Sequence, residues 1–120
     1  MHPIFHIAVR SEWDDAELDG IGYAPSPFVD EGFIHCSTRS QVLASAERHF
    51  TGRHDLVLVA LDVEQLGAEL RYEPAPAVGE DFPHLYRRIV ATDVRGVAAF
   101  VRSRDGGGPY NFPEALDGPT

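Results

Sequence analysis

The order of elements predicts an α+β fold. Three observations carry this: a continuous apolar run, Leu56-Val57-Leu58-Val59-Ala60-Leu61; one segment with strong helical periodicity after Thr38; and several strand-like runs with no helix between them. Regular alternation of strands and helices would instead point to a doubly wound α/β sheet. The expectation is a curved, mainly antiparallel sheet with residues 56–61 at its centre, one main helix packed on it, and one or two short helices. At 120 residues the chain is expected to form a single domain, 1–120, since domains commonly run about 100–150 residues.

Ile4, Phe5, Ile7 and Val9 form a mostly apolar first strand, interrupted by His6. Ser11 followed by Glu12, Asp14 and Asp15 combines a hydroxyl cap with early acids, so residues 12–18 read as a short helix. Asp19-Gly20-Ile21-Gly22 breaks it, and Pro25 and Pro27 keep the next segment irregular. Phe33-Ile34-His35-Cys36 is a short strand. Thr38-Arg39-Ser40-Gln41 has capping-box spacing, and Val42, Leu43, Ala46 and Phe50 then repeat at helical spacing, which predicts a helix over 39–50 closed near Gly52.

The run at 56–61 is rich in β-branched residues and too short for an ordinary buried helix, so it reads as a central strand covered on both faces. Residues 62–66 make one helical turn. Leu70-Arg71-Tyr72-Glu73 is a strand halted by Pro74, and 85–91 and 97–102 complete the set. Residues 103–120, with Gly106-Gly107-Gly108 and three prolines, are expected as an irregular C-terminal extension. Gly20-Ile21-Gly22 lacks the third glycine and the following helix of a dinucleotide fingerprint, which excludes a Rossmann reading.

Charge narrows the function classes. The chain carries 10 basic against 19 acidic residues, net −9, and every basic residue is Arg. A lysine Schiff base, a catalytic lysine and a P-loop lysine are therefore excluded. The acidic balance argues against extended nucleic-acid binding, which needs clustered positive charge, while leaving room for an arginine site that holds one small anion. Cys36 is alone, so no internal disulfide forms and no oxidising compartment is implied. The opening residues lack a basic region and a long apolar run, and no stretch approaches the ~20 apolar residues of a membrane span. A cytoplasmic location away from the membrane is the expectation.

The segment Glu31-Gly32-Phe33-Ile34-His35-Cys36-Ser37-Thr38 places an imidazole, a thiol and two hydroxyls where a strand opens into a helix. Two accounts are open: His35 and Ser37 hydrogen-bond a ligand, or the hydroxyls cap the helix and His35 is a satisfied core histidine. Strand alternation turns Cys36 away from His35, so a Cys–His nucleophilic pair is disfavoured and the thiol is expected in the core. His84 and Tyr86 share a strand face behind Phe82-Pro83; they are either a platform for a ring or part of an edge strand facing water. Arg71 and Glu73 also share a face, most simply as an ion pair. Arg87-Arg88 reads most simply as a surface pair, with a phosphate-holding pair as the alternative. No metal site is expected, because the histidines lack HExxH spacing and there is no second cysteine.

Through Gly32-Phe33-Ile34-His35-Cys36-Ser37-Thr38, Gln41-Val42 and Phe82-Pro83-His84-Leu85-Tyr86, supported by His6, Trp13, Gly22-Tyr23, Asp62 and Tyr72-Glu73, the chain resembles the bacterial family known as domain of unknown function 952 over roughly residues 3–115. That family is grouped by fold with ADP-ribosyltransferase-like proteins. The resemblance implies a split, curved β-sandwich and a cleft for NAD or an ADP-ribose-like ligand. In such enzymes a His followed by Ser, Thr or Gly at a strand end holds the nicotinamide side, an aromatic stacks on the nicotinamide, and a Glu stabilises the developing oxocarbenium. By position His35 and Ser37 match the first element; Tyr23, Tyr72 or Tyr86 supplies the aromatic; Glu73 is the candidate catalytic carboxylate, with Glu31 behind it. Thr38 and His84 complete the expected ligand-binding set. The implied function is a nucleotide-binding cleft with ADP-ribosyl transfer or a related phosphotransfer. The alternative is a non-catalytic nucleotide-binding module or a protein-interaction adaptor on the same fold.

Overall fold

The computed structural model describes residues 3–102 and 109–116. It is a mixed α+β globule whose strands form two three-stranded sheets, and every pairing between its strands is antiparallel. The first sheet has β3 (Leu56–Leu61) in the middle, flanked by β1 (Ile4–Val9) and β6 (Val94–Phe100). All six β3 residues are buried. Val57, Val59 and Leu61 enter the core shared with the second sheet, and Leu56, Leu58 and Ala60 enter the core beneath the main helix. The apolar run is central because it has no polar face to offer water.

The second sheet orders β2 (Ile34–His35), β5 (Glu80–Leu85) and β4 (Leu70–Ala75). Ile34, Leu85 and Leu70 pack toward the first sheet. By strand alternation His35, His84 and Arg71, which lie in register across the sheet, point the other way. Directly after β2 the backbone changes sheets: Cys36 donates to Pro83 O, while Ser37 and Phe5 exchange two bonds of 2.8 Å each.

The main helix, α3 (Val42–His49), puts Val42, Leu43 and Ala46, with Phe50 beyond its end, onto Phe5, Ile7, Leu56, Leu58 and Phe100. It starts later than the 39–50 expected, because only half the capping box forms. Gln41 Oε1 accepts from Thr38 N–H at 3.0 Å, but the Thr38 hydroxyl meets Ser40 instead of a helix N–H. The Gln41 amide donates to Asp81 O at 2.8 Å and to Glu80, tying the start of α3 to the β4–β5 hairpin.

Other boundaries also move. The first helix, α1, is Arg10–Asp15 rather than 12–18, and Ser11 does not cap it; β1 runs straight into the helix, and Arg10 N–H is taken by Asp55 O. One turn, α2 (Phe28–Glu31), forms where Pro25 and Pro27 predicted irregular chain, since proline is tolerated at a helix start. With α4 (Val63–Leu66), the expected helical turn, whose Glu64 N–H meets the Asp62 carboxylate, the short α-helices among the described residues number three. Pro74 does not halt β4, which is an edge strand and tolerates a missing N–H. The strand expected over 85–91 is instead β5, and Pro83 lies inside it. Pro83 sits beyond the short β2, so no ladder donor is required of it there. The strand expected over 97–102 is β6, beginning at Val94.

The Arg87-Arg88 pair is not the simple surface pair expected. Arg87 forks onto buried Asp93 at 2.8 and 3.0 Å and reaches Glu69, while Arg88 lies over Phe28. Burial raises the Asp93 pKa, but the Arg87 bonds and the Val90 N–H outweigh this and hold it below its ordinary value. Within the expected extension, Tyr110 stacks on Phe100 and Phe112 packs edge-on to Phe5; 103–108 and 117–120 lie outside the described residues. No helix among the described residues is long and apolar enough to cross a membrane.

Gly22 is a point where the backbone leaves no room. Its φ is +93°, and an added Cβ would stand 2.8 Å from Ile89 O, beside the bridge in which Tyr23 and Ile89 exchange bonds of 2.7 and 2.9 Å. Gly22→Ala is expected to destabilise the fold by roughly 2–4 kcal/mol through strain and displacement of this bridge. Urea denaturation measures it; a change under about 0.5 kcal/mol would contradict the tight approach.

Candidate functional site

A cavity of about 770 Å³ opens beside the point where the chain changes sheets. Its walls come from β1 (Phe5, His6, Ile7), the loop carrying Tyr23, the strand end His35-Cys36-Ser37, helix α3 (Ser45, Arg48, His49) and the β4–β5 hairpin (Ala75, Val78, Phe82, His84). Its volume lies within the about 300–1,000 Å³ of small-molecule sites, and a mostly apolar lining with a few converging polar groups is typical of them.

His35 and His84 face each other across the β2–β5 register, with ring centroids 5.3 Å apart. Phe33 stacks on His84 at 4.3 Å and meets His35 edge-on at 4.8 Å. Each imidazole is held by its own carboxylate. His84 Nδ1 lies 2.8 Å from Glu73 Oε1 and His35 Nε2 lies 3.0 Å from Glu31 Oε1. A carboxylate only accepts, so His84 donates through Nδ1 and, in the neutral ring, presents Nε2 as the lone-pair nitrogen. The two pairs differ in exposure: the side chains of His84 and Glu73 are 13% and 34% exposed, those of His35 and Glu31 60% and 42%. The His84 pair is therefore the better fixed.

Glu73 also accepts from the Tyr86 hydroxyl. The Tyr86 and His84 bonds hold its carboxyl below the usual range, and the same bond raises the Tyr86 phenol. Arg71 does not pair with Glu73; its guanidinium lies over the Tyr86 ring at 5.1 Å.

Sequence reasoning gave His6 no role in the site. It is buried, its Nδ1–H donates to His35 O at 2.7 Å, and its Nε2 accepts from the Tyr23 hydroxyl at 2.8 Å. Burial, only partly offset by the bond to His35, lowers its pKa to about 4. Tyr23 is buried against Trp13 and His6, and burial followed by the Glu12 charge raises its phenol. The one available signal was an imidazole interrupting an apolar strand. Ser45 and Arg48 were missed too; the signal for Ser45 was a hydroxyl at a helical position between Val42 and Ala46 on the buried face, and Arg48, exposed in the last turn, had none.

Of the residues singled out from sequence, the cavity brings together Tyr23, His35, Ser37 and His84, with Glu31 at its lining. Glu73 and Tyr86 stand behind His84 and are not among the lining residues. Thr38 serves the helix start, and Tyr72 is 52% exposed on the opposite face of the edge strand β4 from Glu73. Cys36 is buried, its thiol 3.8 Å from Ile34 O, and burial pushes its pKa up to about 12. Among the described residues no group of three or more His, Cys, Asp or Glu could hold a metal ion.

Neutral, buried His6 makes folding pH-dependent. Its folded pKa lies below the unfolded 6.5, so the unfolded state binds the proton first. Its contribution is complete above about pH 6.5 and declines as pH falls toward 4, by roughly 3 kcal/mol in all. Urea midpoints compared between wild type and His6→Gln over that window test this; equal pH slopes in the two proteins would refute it.

Comparison with known proteins places these residues in a wider set. No curated protein matches the chain. The chain is similar to protein CC0527 from Caulobacter crescentus. Its crystal structure shows 33% identity and a TM-score of 0.79, covering 95% of this chain and 97% of that one. Its solution NMR structure shows 36% identity and a TM-score of 0.73, covering 88% and 90%. The family described as "Protein of unknown function (DUF952)" matches residues 7–97, a span that holds His35, Ser37, Glu73, His84 and Tyr86, and the chain belongs to that family.

Proposed function

We propose that the chain binds a nucleotide- or NAD-like small molecule in this cavity, with His35, His84, Ser37 and Tyr23 as its polar contacts. The observation that carries the reading is the convergence of two carboxylate-held imidazoles on one concavity beside an apolar wall of Phe5, Ile7, Val78 and Phe82. An aromatic and apolar wall accommodates a heterocycle, and the imidazoles and hydroxyls bond its edge and sugar. The net charge of −9 fits a small ligand better than extended nucleic acid. The buried lone thiol fits a reducing, cytoplasmic setting.

A second reading, transfer of the ADP-ribosyl type, is favoured by the His84–Glu73–Tyr86 arrangement. Glu73 orients His84 so that Nε2 can take a proton from an acceptor hydroxyl as its oxygen bonds ribose C1′ of NAD and nicotinamide leaves, and the carboxylate stabilises the imidazolium that forms. Of the carboxylates that line the cavity, Glu31 is the one held against His35 and is the candidate for the ribose side, with Glu73 as a positioning residue.

Thermal shift with NAD, ADP-ribose, ATP and a nucleoside 2′-phosphate tests the binding reading. At about 100 times its dissociation constant a bound ligand adds about 2.7 kcal/mol of stability. His84→Ala is expected to weaken binding about tenfold or more, the loss of one largely buried polar partner, and His35→Ala, at the more exposed ring, by less, about threefold to tenfold. Cys36→Ser is expected to leave affinity unchanged while costing roughly 1–3 kcal/mol of stability. Failure of all four compounds to shift the melt would overturn the binding reading; loss of binding in Cys36→Ser but not in His35→Ala would make the thiol the working group. For transfer, Glu73→Gln should lower turnover of NAD without changing its dissociation constant, and an unchanged turnover would remove Glu73 from the chemistry.

A further inference from the structure

Helix α3 lines the cavity with two polar side chains, Ser45 and Arg48. Ser37 Oγ–H donates to Ser45 Oγ at 3.0 Å, and Arg48 Nη2–H donates to the same oxygen at 3.3 Å. A hydroxyl oxygen has two acceptor sites and one hydrogen. Both acceptor sites of Ser45 are thus occupied, and its hydrogen has no acceptor among the described residues. Ser45 is 7% exposed and lines the cavity, so that donor is buried and available only to something inside.

Arg48 is placed just as selectively. It lies in the last turn of α3, where the helix dipole favours a cation. Its guanidinium sits over the Phe82 ring at 5.6 Å and makes no ion pair with a carboxylate among the described residues. The other arginine lining the cavity is committed: Arg53 Nε bonds Asp55 at 2.8 Å. The lining carboxylates are committed as well, Glu12 to Ser26 and Glu31 to His35, and they belong to α1 and α2 rather than to the α3 wall. In a chain of net charge −9, Arg48 is an exposed guanidinium without an ion pair among the described residues, set beside the buried hydroxyl of Ser45.

We propose that Ser45 and Arg48, braced by Ser37, form an anion subsite that takes the phosphate or pyrophosphate group of a ligand. Donors on two separate side chains suit a tetrahedral phosphoryl group, whose oxygens point in several directions, better than a planar carboxylate. The subsite deepens the nucleotide reading and rests on it for the identity of the whole ligand: base and sugar lie toward His35 and His84, and phosphate lies toward α3.

Calorimetric titration with inorganic pyrophosphate tests the subsite separately from the nucleotide. Wild type is expected to bind pyrophosphate with an affinity that falls as salt rises, and acetate is expected not to compete. Arg48→Gln should weaken pyrophosphate at least about tenfold, and Ser45→Ala about threefold to tenfold, as charged and neutral hydrogen bonds differ. Arg71→Gln, an arginine outside the cavity, should leave it within about twofold. Absence of pyrophosphate binding at about 10 mM, an unchanged affinity in Arg48→Gln, or an equal loss in Arg71→Gln would each overturn the subsite. ADP-ribose separates the two readings. If pyrophosphate binds through Arg48 but ADP-ribose binds no better than pyrophosphate, the subsite stands and the nucleotide reading falls. If ADP-ribose binds with full affinity in Arg48→Gln, the nucleotide reading stands and the subsite falls.

Discussion

One buried imidazole holds the site in shape. His6 donates to His35 O and accepts from the Tyr23 hydroxyl, so a single neutral ring joins the first sheet, the strand end of the second and the loop that follows α1. With the His35 carbonyl fixed, strand alternation sets the rest: the His35 side chain turns to the cavity, Cys36 turns to the core, and Ser37 returns to bond Phe5. The tautomer is dictated by the partners, since a carbonyl can only accept and the phenol then has the remaining nitrogen. Protonation would place a charge in an apolar interior, and this burial lowers the pKa to about 4.

Around that anchor the cavity is framed by elements with different tethers. Helix α3 is seated on the first sheet by Val42, Leu43 and Ala46, and its start is tied to the hairpin through the Gln41 amide on Asp81 O. The spacing between the Ser45–Arg48 wall and the His84 wall therefore depends on one side-chain link as well as on packing. On the second sheet each histidine is oriented by a carboxylate, and Glu73 is in turn gripped by Tyr86. Oriented imidazoles on two paired strands and an arginine on the packed helix line the same cavity in a chain that is acidic as a whole.

Much of the frame was legible from local pattern. Leu56–Leu61 reads as a central strand because six apolar residues leave no solvent face. The apolar face of α3 follows from the spacing of Val42, Leu43, Ala46 and Phe50, and the core position of Cys36 follows from alternation after His35. Residues whose roles depend on distant partners were not legible. Pro74 looks like a strand breaker and Pro83 like a strand start, yet one lies within an edge strand and the other inside β5, beyond the end of a two-residue neighbour. Arg87 reads as surface until Asp93 comes up beneath it. His6 is the largest omission from the site: its partners are 29 and 17 residues away, and no local periodicity encodes them.

The central claim is that one cavity, bounded by His35 and His84 on the second sheet and by Ser45 and Arg48 on α3, takes a nucleotide-like ligand. The most direct test is a titration of the isotopically labelled protein with ADP-ribose, followed by NMR through backbone amides, imidazole resonances and the Arg48 side chain. The account predicts saturable shifts at His35, Ser37, His84, Ser45 and Arg48 with a common dissociation constant, and little change at Arg87 and Arg88 on their own cluster. Shifts confined to Arg87 and Arg88, or none at saturating ligand, would contradict it.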